Sequence, residues 1–367
     1  MAVSAESTGP AGPEPSGPVG DGPPGGGGRR RRRRGPSMAD VARVAGVSGQ
    51  TVSRVSNGRT NVDEDTRNRV LAAMRKVGYR PNSAARALRS GQFRNIGVIM
   101  FTLSSFGNMR TLDSIAVAAA NTGYSITLIP VRHPTQGEVS IAFTRLSEQA
   151  VDGVVIIIEA HLIDQADIEL PEGLPVVVVD SSAKYRYPVV DTDQAQGARL
   201  ATEHLLELGH GTVWHVSGPS GSYSAERRQE SWRRTLRAHG RDVPPVIPGD
   251  WSTEAGYRAG LELAARGDVT AVFAANDQMA LGILRALHER GRAVPGEISV
   301  VGFDDMAESS SFWPPLTTVH QRFEDVGRHS VDLLVQAIQH EDTPATSVLV
   351  PTRLVVRSST GPPPMTG

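Results

Sequence analysis

The sequence predicts an all-α helix-turn-helix head, a hinge helix, and an α/β body of two doubly wound parallel-sheet lobes. Three observations predict this. From Ser37 to Val77, apolar residues keep the 3.6-residue helical period and are broken by glycine turns. From Asn95 onward, short apolar runs alternate with helical patterns, as parallel strands covered on both faces require. Seven such runs are too many for one small sheet, so the body divides in two.

Composition narrows the function classes. At 367 residues the chain is long for one domain. It has no cysteine, which excludes disulfides, thiolate metal sites and cysteine nucleophiles and agrees with a reducing cytoplasm. No run of about 18 apolar residues exists, so no membrane span is expected. The N-terminus is polar and Gly/Pro-rich where a secretory signal needs an apolar stretch. The net charge of -1 hides an asymmetry: residues 1–94 carry 17 Lys+Arg against 7 Asp+Glu, and the remainder 21 against 32. A basic head on an acidic body suggests that the head meets a polyanion, and the expected location is the cytoplasm, at the nucleoid.

Residues 1–36 are Gly, Pro, Ser and Ala rich and close on Arg29–Arg34, a composition that predicts a disordered tail. The arginines read equally as salt-sensitive phosphate contacts and as a solvated run. Met38 offers an alternative translation start. The helix-turn-helix domain then spans 37–81. Ser37 is the expected N-cap of a helix from Met38 to Ala45, Gly46 the turn, and Ser48 the cap of a second helix through Val55. Val41, Ala42, Ala45, Val47, Val52 and Val55 form the small core between them. Gly49, Gln50, Thr51, Ser53 and Arg54 remain on the outward face, where glutamine pairs with adenine, arginine with guanine, and hydroxyls reach phosphates or thymine methyls. A third helix, capped by Asp63, runs to Val77 and is expected to close the core with Val70, Leu71, Met74 and Val77. Gly78-Tyr79-Arg80-Pro81 stops it. The hinge and linker take 82–94; Asn82–Leu88 is too short for a stable helix alone, but could fold on binding, with Leu88 suited to a minor-groove wedge.

Asp40-Val41-Ala42, Gly46-Val47-Ser48, Thr51-Val52-Ser53-Arg54-Val55 and Asn57 together resemble the headpiece of the lac repressor family of bacterial transcription factors. Thr66-Arg67, Gly78-Tyr79-Arg80-Pro81-Asn82 and Ala85-Arg86-Ala87-Leu88 extend the resemblance through the family's hinge helix. It implies a homodimer on a pseudo-palindromic double-stranded operator. Each recognition helix lies in a major groove and the paired hinge helices insert Leu88 into the central minor-groove step. The DNA-contacting set so implied is Ser37, Ser48, Gln50, Thr51, Ser53, Arg54, Asn57, Asn82, Ala85 and Leu88. A relative within the family carries a base-contacting tyrosine where this chain has Gly49, so the operator is expected to be related rather than identical.

In the body, the strand runs are Ile96–Phe101, Ile126–Val131, Val154–Ile158, Val176–Val179, Val213–Val216, Ala271–Ala274 and Ile298–Val301. Ala275-Asn276-Asp277-Gln278-Met279-Ala280-Leu281-Gly282, Ile298–Asp305 and Pro314–Val319 resemble further signatures of the same family. The resemblance implies a periplasmic-binding-protein-like sensor over 95–357, closing on a small ligand and carrying the dimer contacts. Its first lobe covers about 95–190 and returns near 322–341; the second covers about 191–320 and returns near 346–357. Residues 358–367 are expected to be a disordered tail. A relative joins two dimers through a C-terminal leucine heptad, which the proline-rich end here cannot form, so a dimer is expected.

Ligands of open α/β sheets bind beyond the carboxyl ends of strands, which directs attention to Asn276 and Asp304. From spacing alone, Asn276-Asp277 reads more readily as a helix cap, and Asp304-Asp305 as a turn, than as a ligand site. The resemblance adds Arg228, in the segment matching the family's sugar-contacting arginine, and Gln321 at a lobe crossover. Carboxylate, amide and guanidinium groups satisfy adjacent sugar hydroxyls, and Trp251, Phe303 and Phe323 supply apolar faces for a ring. Phe101 stands where a relative has a small hydroxyl residue meeting its inducer, so a different sugar is expected, stacked on Phe101 and Phe106. No metal-ligand spacing, Gly-x-Ser-x-Gly elbow or nucleotide loop is present, so no catalytic residue, metal or cofactor is expected. The expected function is a repressor of carbohydrate-utilisation genes controlled by a sugar-like effector. The alternatives are a catabolite-control regulator with a phosphoprotein co-effector and a sugar-binding protein with an incidental basic head.

Overall fold

The computed structural model describes residues 35–59, 61–80, 91–103, 105–132, 135–157, 173–180, 187–339 and 346–365. The chain falls into two compact units, residues 1–82 and 83–367. The arginine run and the hinge residues Asn82, Ala85 and Leu88 lie outside the described residues.

Three helices make the first unit: α1 (Met38–Ala45), α2 (Gly49–Ser56) and α3 (Glu64–Val77). Ser37 and Asp40 form a reciprocal capping box, Ser48 accepts from the Thr51 amide, and the Asp63 carboxylate accepts from the Asp65 and Thr66 amides. Such caps satisfy amides that a helix start leaves unpaired and each contributes about 1 kcal/mol. Gly46 and Gly78 end α1 and α3 with left-handed backbones, φ 65 and 69°, which a side chain would strain. Val41, Val52, Val55, Val70, Ala73 and Met74 pack into one core, with Ala42, Ala45, Val47 and Val77 at its margin. Leu71 departs from expectation: it is 37 % exposed, whereas Ala73 is 3 % exposed. Neighbouring residues on a helix diverge by about 100°, so with Val70 inward Leu71 turns outward, and the next inward positions are Ala73 and Met74.

In the second unit, β1 (Asn95–Met100), β2 (Ser125–Pro130), β3 (Gly153–Ile157), β4 (Val176–Val179) and β5 (Val189–Thr192) alternate with α4 (Phe106–Asn121) and α5 (Gln136–Glu148). After α6 (Gln194–Glu207) come β6 (Trp214–Val216), α7 (Tyr223–Ala238), α8 (Thr253–Ala264), β7 (Ala271–Ala274), α9 (Asp277–Glu289) and β8 (Ser299–Asp304). A 3-10 turn, Ala307–Ser311, leads to β9 (Thr317–His320), α10 (Phe323–Gln339), β10 (Ser347–Val350) and β11 (Arg353–Val355).

Two sheets result, ordered β10-β5-β4-β3-β1-β2 and β11-β9-β8-β7-β6. Strand β6 also bridges to Ile247 in parallel, a one-residue counterpart of β2 in the second lobe. Each sheet is buried on both faces, as the unbroken Val/Ile runs of β3 and β4 require. Phe303 packs on Gly197, where a Cβ would fall 2.6 Å from the ring, so that helix α6 lies flat against the second sheet.

The chain passes between the lobes at β5–α6, β9–α10 and β10–β11. Three expectations are corrected here. Strand β10 pairs with β5 in the first sheet, not the second, so the crossing comes after Val350. Strand β11 runs antiparallel to β9, because two residues, Pro351 and Thr352, replace the helix that a parallel return needs. And the segment after Arg357 is no disordered tail. The Ser359 hydroxyl, fully buried, accepts from the Thr317 amide at 2.8 Å and donates to the Val300 carbonyl at 2.6 Å. His210 bonds the Gly361 carbonyl at 3.0 Å, and His204 the Thr360 hydroxyl at 3.0 Å.

Candidate functional site

Two surfaces carry chemistry, one on each unit. On the head, Gln50 and Arg54 stand one helical turn apart on the exposed side of α2, opposite the buried Val52 and Val55. The other polar residues of this face are tied locally. Ser48 and Thr51 hydroxyls lie 3.0 Å apart, Asn57 Nδ2 donates to Ser53 Oγ at 3.3 Å, and the Ser37 hydroxyl is engaged with Asp40. Those residues fix the helix ends, while Gln50 and Arg54 project as the long side chains.

On the sensor, a cleft of about 560 Å³, its open mouth included, lies between the lobes at the carboxyl ends of β3, β4, β5 and β8. The first lobe contributes Ser105, Phe106, Asn108 and Asp180, with Phe323 at the start of α10. Phe106 and Phe323 meet edge to face, 6.1 Å between centroids. The second lobe contributes Ser224, Arg228, Trp251, Asn276 and Asp304, and the crossings contribute Asp191, Thr192, Gln194 and Gln321.

A ring of buried side chains forms the floor. Arg228 Nε donates to Gln194 Oε1 at 2.8 Å, Gln194 Nε2 to Gln321 Oε1 at 3.5 Å, and Gln321 Nε2 to Asp304 Oδ1 at 2.7 Å. The circuit closes with Arg228 Nη1 at 3.7 Å from Asp304 Oδ1. Arg228 also donates to the Ala275 carbonyl at 2.5 Å and lies over the Phe303 ring at 3.7 Å and beside Trp251 at 5.4 Å. A guanidinium so buried is sustained by its carboxylate, its acceptors and the aromatic face beneath it.

Asn276 both lines the cleft and caps a helix. Its Oδ1 accepts from the Met279 amide at 2.9 Å, capping α9, and its Nδ2 donates to the Trp251 carbonyl at 3.0 Å, so the cap also holds the aromatic wall. Trp251 has a left-handed backbone, φ 71°, and its indole rests on Gly218, where any Cβ would collide with the ring. Asp304 likewise lines the cleft and begins a turn, with φ 118° at Asp304 and 53° at Asp305. Tyr223 is buried near the cleft, and that burial together with the Asp191 carboxylate pushes its phenol above the usual range.

Of the nine ligand residues expected, Phe106, Arg228, Trp251, Asn276, Asp304, Gln321 and Phe323 line this one cleft. Phe101 does not. It follows β1 on the same parity as Ile99 and packs with it toward α5, whereas the cleft-lining helices α4 and α10 cover the opposite face with Val98 and Met100. Phe303 is also displaced from its expected place: it is fully buried beneath Arg228 and supports the site from below. The polar lining residues missed include Asn108, Asp180, Asp191 and Gln194. Asp180 and Asp191 were findable, since each closes a run of valines at a strand's carboxyl end. Among the described residues no cluster of three His, Asp or Glu side chains is placed to hold a metal, and no helix is long and apolar enough to cross a membrane.

A capped helix-turn-helix unit ahead of a two-lobed α/β sensor with a polar cleft defines a ligand-binding transcription regulator. The chain belongs to the lacI family of bacterial regulatory proteins: residues 37–82 match that family, described as "Bacterial regulatory proteins, lacI family", and residues 202–360 match "Periplasmic binding protein-like domain". It is 36% identical over 330 residues to the lactose operon repressor of Escherichia coli K12, across 88% of this chain and 90% of that protein. The structure of the lac repressor dimer bound to operator and the anti-inducer ONPF superposes with a TM-score of 0.79 at 35% identity, covering 89% of this chain and all of that one. A complex of the transcriptional regulator CelR with cellobiose gives a TM-score of 0.66 at 31% identity, covering 88% and 99%.

Proposed function

We propose that this regulator is a sugar-responsive repressor that acts as a homodimer on a pseudo-palindromic operator. The domains divide as a head over 37–81, a hinge and linker over 82–94, and a sensor from 95 onward. Gln50 and Arg54 read adenine and guanine edges in the major groove, while Ser37, Ser48, Thr51, Ser53 and Asn57 place the helix against the backbone. Asn82, Ala85 and Leu88 act in the minor groove between the two half-sites.

The observation that carries the sugar reading is the ring Arg228–Gln194–Gln321–Asp304 beside Trp251. Alternating donors and acceptors beside an aromatic face suit a polyol ring, whose hydroxyls both give and take hydrogen bonds. Gln194 and Gln321 sit on two of the three crossings, so hydroxyls that compete for their amides act where the lobes pivot. A ligand that prefers one lobe arrangement shifts the population toward it, and the dimer passes the shift to the hinges. Relatives that bind operator with an anti-inducer, or cellobiose, support the same class.

The test is fluorescence anisotropy of the full chain on operator DNA, titrated with a panel of mono- and disaccharides and nucleobases. One sugar is expected to change operator affinity at least about tenfold, a coupling of roughly 1.4 kcal/mol. A response to nucleobases alone rejects the carbohydrate reading.

A further inference from the structure

Asp277, the first residue of α9, is fully buried and does not line the cleft. Its carboxylate is turned into the junction of β8, β9 and the 3-10 turn. Oδ2 accepts from the Met306 amide at 2.9 Å and the Ser309 hydroxyl at 2.6 Å, and Oδ1 accepts from the Thr318 hydroxyl at 2.5 Å. Gly302 makes room for it on β8, since a Cβ there would collide with Oδ1. The three donors all follow Asp304 and Asp305: Met306 directly after them, Ser309 in the 3-10 turn and Thr318 on the neighbouring β9. Asp304 and Asp305 are consecutive non-glycine residues with positive φ. Such backbones are unfavourable for L side chains and persist where surrounding contacts over-determine them.

The carboxylate is costly where it stands. Burial pushes it up to about 6, and Asp305 adds repulsion, although Asp305 is itself held by His320 Nδ1 at 2.9 Å and Arg357 Nη2 at 2.6 Å. An apolar side chain of similar volume would avoid that penalty but leave the Met306 amide unpaired.

We propose that Asp277 is the positioning residue of the cleft: it clamps the Asp304–Asp305 turn through Met306, Ser309 and Thr318 and so sets where the Asp304 carboxylate meets the sugar. The ligand half of this inference rests on the sugar reading of the cleft; the clamp itself does not. The test therefore has two arms on the full chain and its Asp277→Ala, Asp277→Asn and Thr318→Val variants. One is peptide-level hydrogen exchange over residues 304–309 without sugar. The other is calorimetric titration with cellobiose and with ribose.

Asp277→Ala is expected to speed exchange in 304–309 about tenfold or more while β6 and β7 stay protected, and to weaken the bound sugar by about tenfold. Asp277→Asn keeps an acceptor for the Met306 amide and is expected to restore both to within about threefold. Thr318→Val removes one donor, gives a smaller shift of the same sign, and serves if Asp277→Ala does not fold. Unchanged exchange across 304–309 overturns the clamp, and faster exchange with undiminished affinity for a sugar that the wild type binds overturns the positioning role of Asp277. Wild type that takes up neither sugar while exchange still rises supports the clamp and counts against the carbohydrate reading instead.

Discussion

Arg228 and Asp304 face each other across the floor of the cleft at 3.7 Å, and the amides of Gln194 and Gln321 complete a hydrogen-bonded path between them. The arginine comes from α7 and the aspartate from β8, both in the second lobe, whereas Gln194 opens α6 and Gln321 follows β9, on two of the segments that cross between the lobes. Opposite charges are thereby tied to the segments about which the lobes turn.

Replacing Arg228 with methionine removes the guanidinium and leaves Asp304 and Gln194 facing an apolar stem. Truncating one partner of a buried pair costs about 3 kcal/mol or more. Urea denaturation of the full chain is expected to show that loss in the sensor transition, and titration with the cognate sugar a loss of binding. Asp304→Asn is expected to keep more stability than Arg228→Met, because the amide still accepts from Gln321.

The exposed pair on α2 makes a separable prediction. Arg54→Ala is expected to weaken sequence-specific operator binding by about 1–3 kcal/mol and leave nonspecific binding and its salt dependence nearly unchanged. Salt-matched titrations on operator and on scrambled DNA measure both, and equal affinity for operator rejects the assignment of α2.

His215 lies fully buried on β6, its ring stacked at 4.8 Å on Phe273 and 5.1 Å from Trp232, and its Nδ1 bonds the Phe273 carbonyl. Burial depresses its pKa to about 3. The unfolded chain, titrating near 6.5, therefore binds the proton first, so stability present above 6.5 is lost as pH falls toward 3. The loss is on the order of 4 kcal/mol. Denaturation midpoints are expected to fall across this window in the wild type and to stay flatter in His215→Leu.

Asp277 opposes that trend. Its folded pKa of about 6 exceeds the unfolded value of 3.8, so the folded state takes the proton first and gains stability as pH drops through this range. Relative to Asp277→Asn, the wild type is expected to gain about 2 kcal/mol between pH 7 and pH 4. A constant difference between the two proteins across those pH values contradicts the burial of the charge.

Truncation after Arg357 removes Ser359 from the Thr317 amide and Val300 carbonyl, and Gly361 from His210. Each buried polar group left unpaired costs about 1–3 kcal/mol, so the shortened chain is expected to unfold several degrees earlier by calorimetry.

The sequence by itself determined the elements and the kind of molecule. Helix starts at Ser37, Ser48 and Asp63, glycine stops at Gly46 and Gly78, and valine-rich runs such as Val176–Val179 are local signals, set by side chains within a few residues of the backbone they govern. So were the polar residues that end strands, which is why Asn276 and Asp304 were legible. Tertiary structure alone decided what depends on partners distant in the chain. It placed β10 beside β5, turned Phe101 toward α5, put Phe303 under Arg228, and drew Gln194 and Gln321, 127 residues apart, within hydrogen-bond distance. It also pinned a proline-rich end that composition reads as loose, because the buried His210, the half-buried His204 and strands β8 and β9 offered it hydrogen bonds. Periodicity fixes which residues share a face; only the packed fold chooses what that face meets.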